Sequence, residues 1–148
     1  MLAKYLPSLR LGKKEGKRSV FDPVRKKWII LSPEEMVRQV VIAYLIDEKD
    51  YSPRLMSVER AIEFNTMTRR YDLVVFDKYK NPLILVECKS PDKPLNRASF
   101  EQVALYNESL GVQFLWLTNG HTNYFFQINN EKRSVKPCND IPEAKTLN

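Results

Sequence analysis

Asp72, Glu87 and Lys89 lie in the stretch RRYDLVVFDKYKNPLILVECKSP, residues 69–91, each at the end of an apolar run. Ionised groups at the ends of buried strands need a charged partner or a metal. If Lys78-Tyr79-Lys80-Asn81 is a hairpin loop, Asp77 faces Pro82 and antiparallel partners have numbers summing to 159. Asp72 then stands opposite Glu87, with Cβ atoms roughly 5 Å apart. Side chains alternate, so Glu87 and Lys89 share a face and Cys88 points away. Two facing carboxylates repel unless a positive charge lies between them, and a divalent cation held by oxygens meets that need. Such an ion polarises a phosphodiester and lowers the pKa of a bound water, while Lys89 orients the water or stabilises charge on the phosphorane. An ion-pair cluster, Asp72 with Lys89 and Glu87 with Arg70, fits the same spacing.

The rest of the composition narrows the chemistry. The chain has 148 residues, 43% of them hydrophobic and 28% charged, as an ordinary globular domain does. Its single histidine, His121, leaves no paired-histidine site. Its four glycines form no phosphate-cradling loop motif. A metal here must be held by oxygens, which favours Mg²⁺ or Mn²⁺. Cys88 and Cys138 have no metal-type spacing, and with no membrane-spanning run or signal segment a reducing cytoplasm is expected. Residues 1–31 carry a balance of +7 and the remainder −1. A basic flexible arm over 1–19 is expected, either solvated or in contact with nucleic-acid phosphates.

Local patterns supply the elements that must position the three residues. In SVFDPVRKKWIIL a short hairpin turns at Asp22-Pro23. SPEEMVRQVVIAYLIDEK predicts a helix with Ser32 as N-cap, Pro33 in the first turn, Glu35 closing a capping box, and Val37, Val41, Tyr44 and Leu45 as its apolar stripe. Residues 54–64 alternate as a strand, and 71–77 and 82–88 form the hairpin above. NRASFEQVALYNESLG predicts a second helix starting near Asn96 and stopping at Gly111. VQFLWLTNG and TNYFFQI add two strands around Asn119-Gly120, with an ordered end near 130 and a tail over 131–148. The expected fold is α/β, a mixed sheet of about five strands flanked by helices.

Asp72 followed by Glu87-Cys88-Lys89 resembles the PD-(D/E)xK nuclease signature, with Tyr71 where proline is usual. SPEEMVRQ, RRYDLVVFD, LILVECKSP, EQVALYN and LTNG, in that order, resemble the N-terminal nuclease domain of type I restriction enzyme R subunits over roughly residues 20–130. The resemblance implies a restriction-endonuclease-like core and a Mg²⁺-dependent DNA endonuclease. Asp72, Glu87 and the Cys88 backbone carbonyl would hold the metal, and Lys89 would be the catalytic lysine. Glu34 best matches the family's first-helix acid, which binds metal through water; a glutamate there also stabilises the helix dipole whatever the function. Gln102 and Tyr106 match a Q-x-x-x-Y element that supports the active site or nearby DNA backbone. They are also read as a surface polar group and a half-buried core residue.

Other residues have plainer readings. Asn119-Gly120-His121 is a hairpin turn whose histidine could reach a phosphate. Trp116 with Phe100, Phe114, Phe125 and Phe126 is read as packing rather than base stacking. Arg69 and Arg70 suit DNA phosphates or solvent equally. The implied partners are DNA and the motor, specificity or modification subunits of a restriction system, with no membrane. Two other readings stand beside the nuclease: a catalytically weak nucleic-acid-binding or assembly module that keeps the fold, and a structural domain whose charges only pair with one another.

Overall fold

The computed structural model describes residues 2–64 and 67–147, except for the side chains of residues 60–64, 67, 69, 105, 106, 109 and 147. Two sheets form. A small antiparallel meander contains β1 (Leu11–Lys14), β2 (Lys17–Asp22) and β3 (Lys27–Ile30) in that order. A six-stranded sheet contains β4 (Met56–Phe64), β5 (Met67–Phe76), β6 (Pro82–Cys88), β7 (Phe114–Thr118), β8 (Asn123–Asn129) and β9 (Ser134–Cys138), also in chain order. Only the β6–β7 pair is parallel, since the crossover through helix α2 (Arg97–Leu110) separates those strands. The mixed sheet with flanking helices agrees with expectation, with six strands in place of about five.

Helix α1 (Pro33–Asp47) begins where its caps dictate: Ser32 Oγ accepts the Glu35 N–H at 3.1 Å, and Pro33 needs no partner for a missing N–H. Val37, Val41, Tyr44 and Leu45 are all buried, as their helical spacing requires. They pack with Leu73, Val75, Ile84, Val86 and Trp116 on one face of the sheet. Helix α2 covers the other face through Val103, against Val74, Leu85, Leu115 and Leu117. Asn96 caps its start, and Gly111, at φ 66°, ends it in the left-handed conformation. Three layers therefore enclose two apolar cores, with β5, β6 and β7 between them.

The chain ends depart from expectation. Residues 2–19 are not a flexible arm: Leu2–Ser8 form a 3₁₀ helix whose Leu2 and Tyr5 are buried against α1, and residues 11–19 contribute to β1 and β2. Apolar burial of two side chains outweighs the local charge density that marked the segment as mobile. Nor does order stop near 130. Strand β9 follows, Ile141 is buried, and Tyr44 Oη donates to Asp140. The hairpin at Asp22-Pro23 forms as expected, with Phe21 paired to Trp28.

Candidate active site

Strands β5 and β6 pair Leu73 with Val86, Val74 with Leu85 and Val75 with Ile84, so numbers sum to 159 next to the site. The turn is not the one expected. Phe76, not Asp77, faces Pro82, and the register shifts beside it, leaving Leu83 as an extra residue on β6. That bulge restores the sum of 159, so Asp72 and Glu87 do meet. Leu83 is held there because its carbonyl accepts the Gln113 N–H at 3.0 Å.

Beyond Leu73–Val86, side chains take the place of ladder bonds. The Asp72 N–H donates to Glu87 Oε1 at 3.4 Å, and the Cys88 N–H donates to Asp72 Oδ2 at 2.7 Å. The carboxylates thus occupy the gap where β6 leaves β5 for β7, on which Lys89 N–H donates to the Thr118 carbonyl at 2.8 Å. Cys88 packs its thiol into the α1-side core.

Neither ion pair of the alternative reading, Asp72–Lys89 or Glu87–Arg70, is present among the described residues. Asp72 pairs instead with Arg38 of α1, whose Nη2 donates to Oδ1 at 3.0 Å. Arg38 Nη1 donates to Glu35 Oε1 at 2.8 Å and lies 3.5 Å from Glu59. Behind it, Arg25 bridges Glu35 (2.7 Å) and Asp22 (2.6 Å), and Gln39 Nε2 donates to both acids. Sequence reasoning missed this chain of buried charges. Its one local signal was Arg38 standing four and three residues after Glu34 and Glu35 on one helix face.

Electrostatics set these groups apart. Burial first, then the Asp72 charge and a hydrogen bond to it, push the Glu87 carboxyl well above the usual glutamate range. Glu87 therefore favours its protonated form. Burial alone would lower the Arg38 guanidinium, but Glu35 and Asp72 outweigh it and hold the guanidinium firmly charged. Glu34 is 43% exposed at its side chain, and burial and Asp72 raise it while Arg38, Lys89 and Lys93 pull it down. The Lys89 ammonium thus acts on both Glu34 and Glu87.

The remaining candidates separate. Gln102 lies on the exposed side of α2, and the Tyr106 side chain falls outside the described residues. His121 is exposed on a turn that Asn119 Oδ1 organises by accepting the His121 and Thr122 N–H groups. Trp116, Phe114 and Phe125 are core, as expected. A groove of about 690 Å³ at the C-terminal end of α2, bordered by Asn107, Glu108 and Arg133, contains none of Glu34, Asp72 and Glu87.

The donor set suits a hard divalent ion: two carboxylates that each accept a backbone N–H of the facing strand, a half-exposed third acid at Glu34, and no histidine or thiolate. Among the described residues no three His, Cys, Asp or Glu side chains are grouped to cage an ion. Mg²⁺ does not require that, because it keeps several waters and takes one or two carboxylates plus substrate oxygens.

The family model of the type I restriction enzyme R protein N terminus matches residues 33–142. Among solved structures, the fold is similar to a fragment assigned to an HsdR subunit of a type I restriction enzyme from Vibrio vulnificus YJ016, at a TM-score of 0.53 and 19% identity. That likeness concerns the fold and covers 79% of this chain and 24% of the other, so the chain spans about a quarter of that relative. No curated protein matches significantly. With three-quarters of its length inside the family model, the chain belongs to the type I restriction enzyme R protein N-terminal family.

Proposed function

We propose that this chain is a metal-dependent endonuclease domain that hydrolyses DNA phosphodiester bonds, using Mg²⁺ or Mn²⁺ held by Asp72, Glu87 and the Cys88 backbone carbonyl. The observation that carries this is the meeting of Asp72 and Glu87 in the gap between β5 and β6, with Lys89 following on the same strand end. An ion bound there would polarise the scissile phosphodiester and lower the pKa of a coordinated water. Lys89 would orient the attacking water or stabilise the charge that develops on the phosphorane. Arg38 holds one Asp72 oxygen and the Cys88 N–H holds the other, which fixes the carboxylate plane. Glu34 would hold the ion through a water. Gln102 and Tyr106 support the site or the DNA backbone beside it. DNA is the substrate, and motor, specificity or modification subunits of a restriction system are the partners.

One observation favours the weaker-catalyst reading, a nucleic-acid-binding or assembly module. Arg38 already gives Asp72 the positive charge that a metal would supply. A nicking assay on supercoiled plasmid decides between them. The nuclease reading expects nicking with Mg²⁺ or Mn²⁺, none with chelator, and a loss of at least ~100-fold in Lys89→Ala. Unchanged activity in Lys89→Ala removes the role given to Lys89, and no nicking with either ion leaves the binding module.

A further inference from the structure

The meander of residues 11–30 lies outside the family match, and it holds most of the chain's positive excess. Strands β1 and β2 are joined by Glu15-Gly16, both at positive φ (53° and 77°), which makes a tight two-residue hairpin with a fixed tip. At that tip Lys13 faces Arg18 and Lys14 faces Lys17, and all four are exposed. Like charges directly opposite each other destabilise a sheet, and Glu15 is the one acid of the hairpin tip. The tip is therefore a built concentration of cations, held together at a cost in stability.

The same sheet indicates which anion it suits. Phe21 and Trp28 lie edge to face at 5.6 Å on one face of that sheet, both half-buried, where a base could otherwise stack. The Arg10 guanidinium already covers both rings, at 4.9 and 5.5 Å. Trp28 also closes over Gly12, where an added Cβ would sit 2.8 Å from the indole. The rings are occupied from within the chain, so the surface suits phosphates and not base recognition.

Its placement relative to the acids is fixed. At the root of the meander Asp22 and Arg25 join Glu35, and Glu35 joins Arg38 and through it Asp72. The six residues of β2 span about 20 Å, so the tip stands some five or six base pairs of duplex from the root. We propose that the meander is a phosphate-binding finger that grips duplex DNA beside the site, without reading sequence. The finger rests on the proposal that DNA is the substrate.

The test is binding of a random-sequence duplex by fluorescence anisotropy across a salt series, in the Lys89→Ala background with Mg²⁺ so that the duplex stays whole. The full chain is compared with a variant carrying Lys13→Gln, Lys14→Gln, Lys17→Gln and Arg18→Gln. A control loses the same charge elsewhere, by Lys132→Gln, Arg133→Gln, Lys136→Gln and Lys145→Gln. Each phosphate that the protein ceases to neutralise lowers the slope of log K against log salt by about 0.9, so the finger variant should lose about 2–4 and bind at least ~10-fold more weakly. Its melting temperature should not fall, because these side chains are exposed and removing facing like charges relieves their repulsion. An unchanged slope, or an equal fall in the control, overturns the finger alone. Absence of duplex binding by the otherwise unaltered chain overturns the DNA reading and the finger together.

Discussion

Arg38 Nη2 donates to Asp72 Oδ1 across 3.0 Å, so the acid that heads the nuclease-like motif is tied to helix α1 before any metal or DNA arrives. The guanidinium is buried and surrounded by carboxylates, and its Nε finds no partner among the described residues. Held between Glu35 and Asp72, the guanidinium orients the Asp72 carboxylate.

Removing the guanidinium should therefore be expensive. Arg38→Met leaves Glu35 and Asp72 without its charge, and a loss of about 3–5 kcal/mol in urea unfolding is expected. Arg38→Lys keeps the charge but not the fork, and should fall between. Asp72→Asn made on top of Arg38→Met should add less destabilisation than in the intact chain, which a double-mutant cycle reads directly. Additive losses would mean that the pair is not coupled.

Glu87 predicts an unusual dependence on pH. Its folded-state pKa is raised by burial and by Asp72, so its contribution to stability is fully present below the ordinary glutamate value of 4.5 and is lost as pH rises through the folded value. Metal-free protein should thus become less stable from about pH 4.5 upward, relative to Glu87→Gln, in which this part of the dependence disappears. Parallel stability-against-pH curves for the two proteins would count against the raised carboxyl.

A bound cation should reverse that penalty. Mn²⁺ at about 100 times its dissociation constant adds about 2.7 kcal/mol to any folded state that alone binds it. The melting temperature should rise with Mn²⁺ in the intact chain and stay fixed in Asp72→Asn. A rise that survives in Asp72→Asn would place the ion elsewhere.

How far the site was legible follows from which interactions are local. The meeting of Asp72 and Glu87 depends on hairpin pairing, and the apolar alternation of residues 71–77 and 82–88 encodes it. The expected loop is off by one residue, yet the Leu83 bulge, pinned by Gln113 beside β7, offsets the error. No local pattern could announce that hydrogen bond. Both helices were readable from caps and stripes, because capping is local chemistry. Arg38 to Asp72 joins residues 34 apart, and single-sequence reasoning gives Asp72 a lysine on the neighbouring strand instead. The charge of the N-terminal segment and the proline content of the tail suggest mobile ends, while a few buried apolar side chains decide otherwise.

The two chain ends give a last prediction. Leu2 is 1% exposed and joins the core around Tyr44 and Leu45, and Ile141, also 1% exposed, joins the same core. A flexible arm and a loose tail would make truncation at either position neutral. Deleting a buried aliphatic side chain instead loses its transfer free energy and leaves a cavity, typically about 2–5 kcal/mol. Leu2→Ala and Ile141→Ala should each fall in that range in urea unfolding, monitored by the buried Trp116. Exposed Leu6, in the same 3₁₀ segment, should lose well under ~1 kcal/mol on the same change. A Leu2→Ala variant as stable as Leu6→Ala would return the first residues to the status of a solvated arm, and the α1 core would then have to close without them.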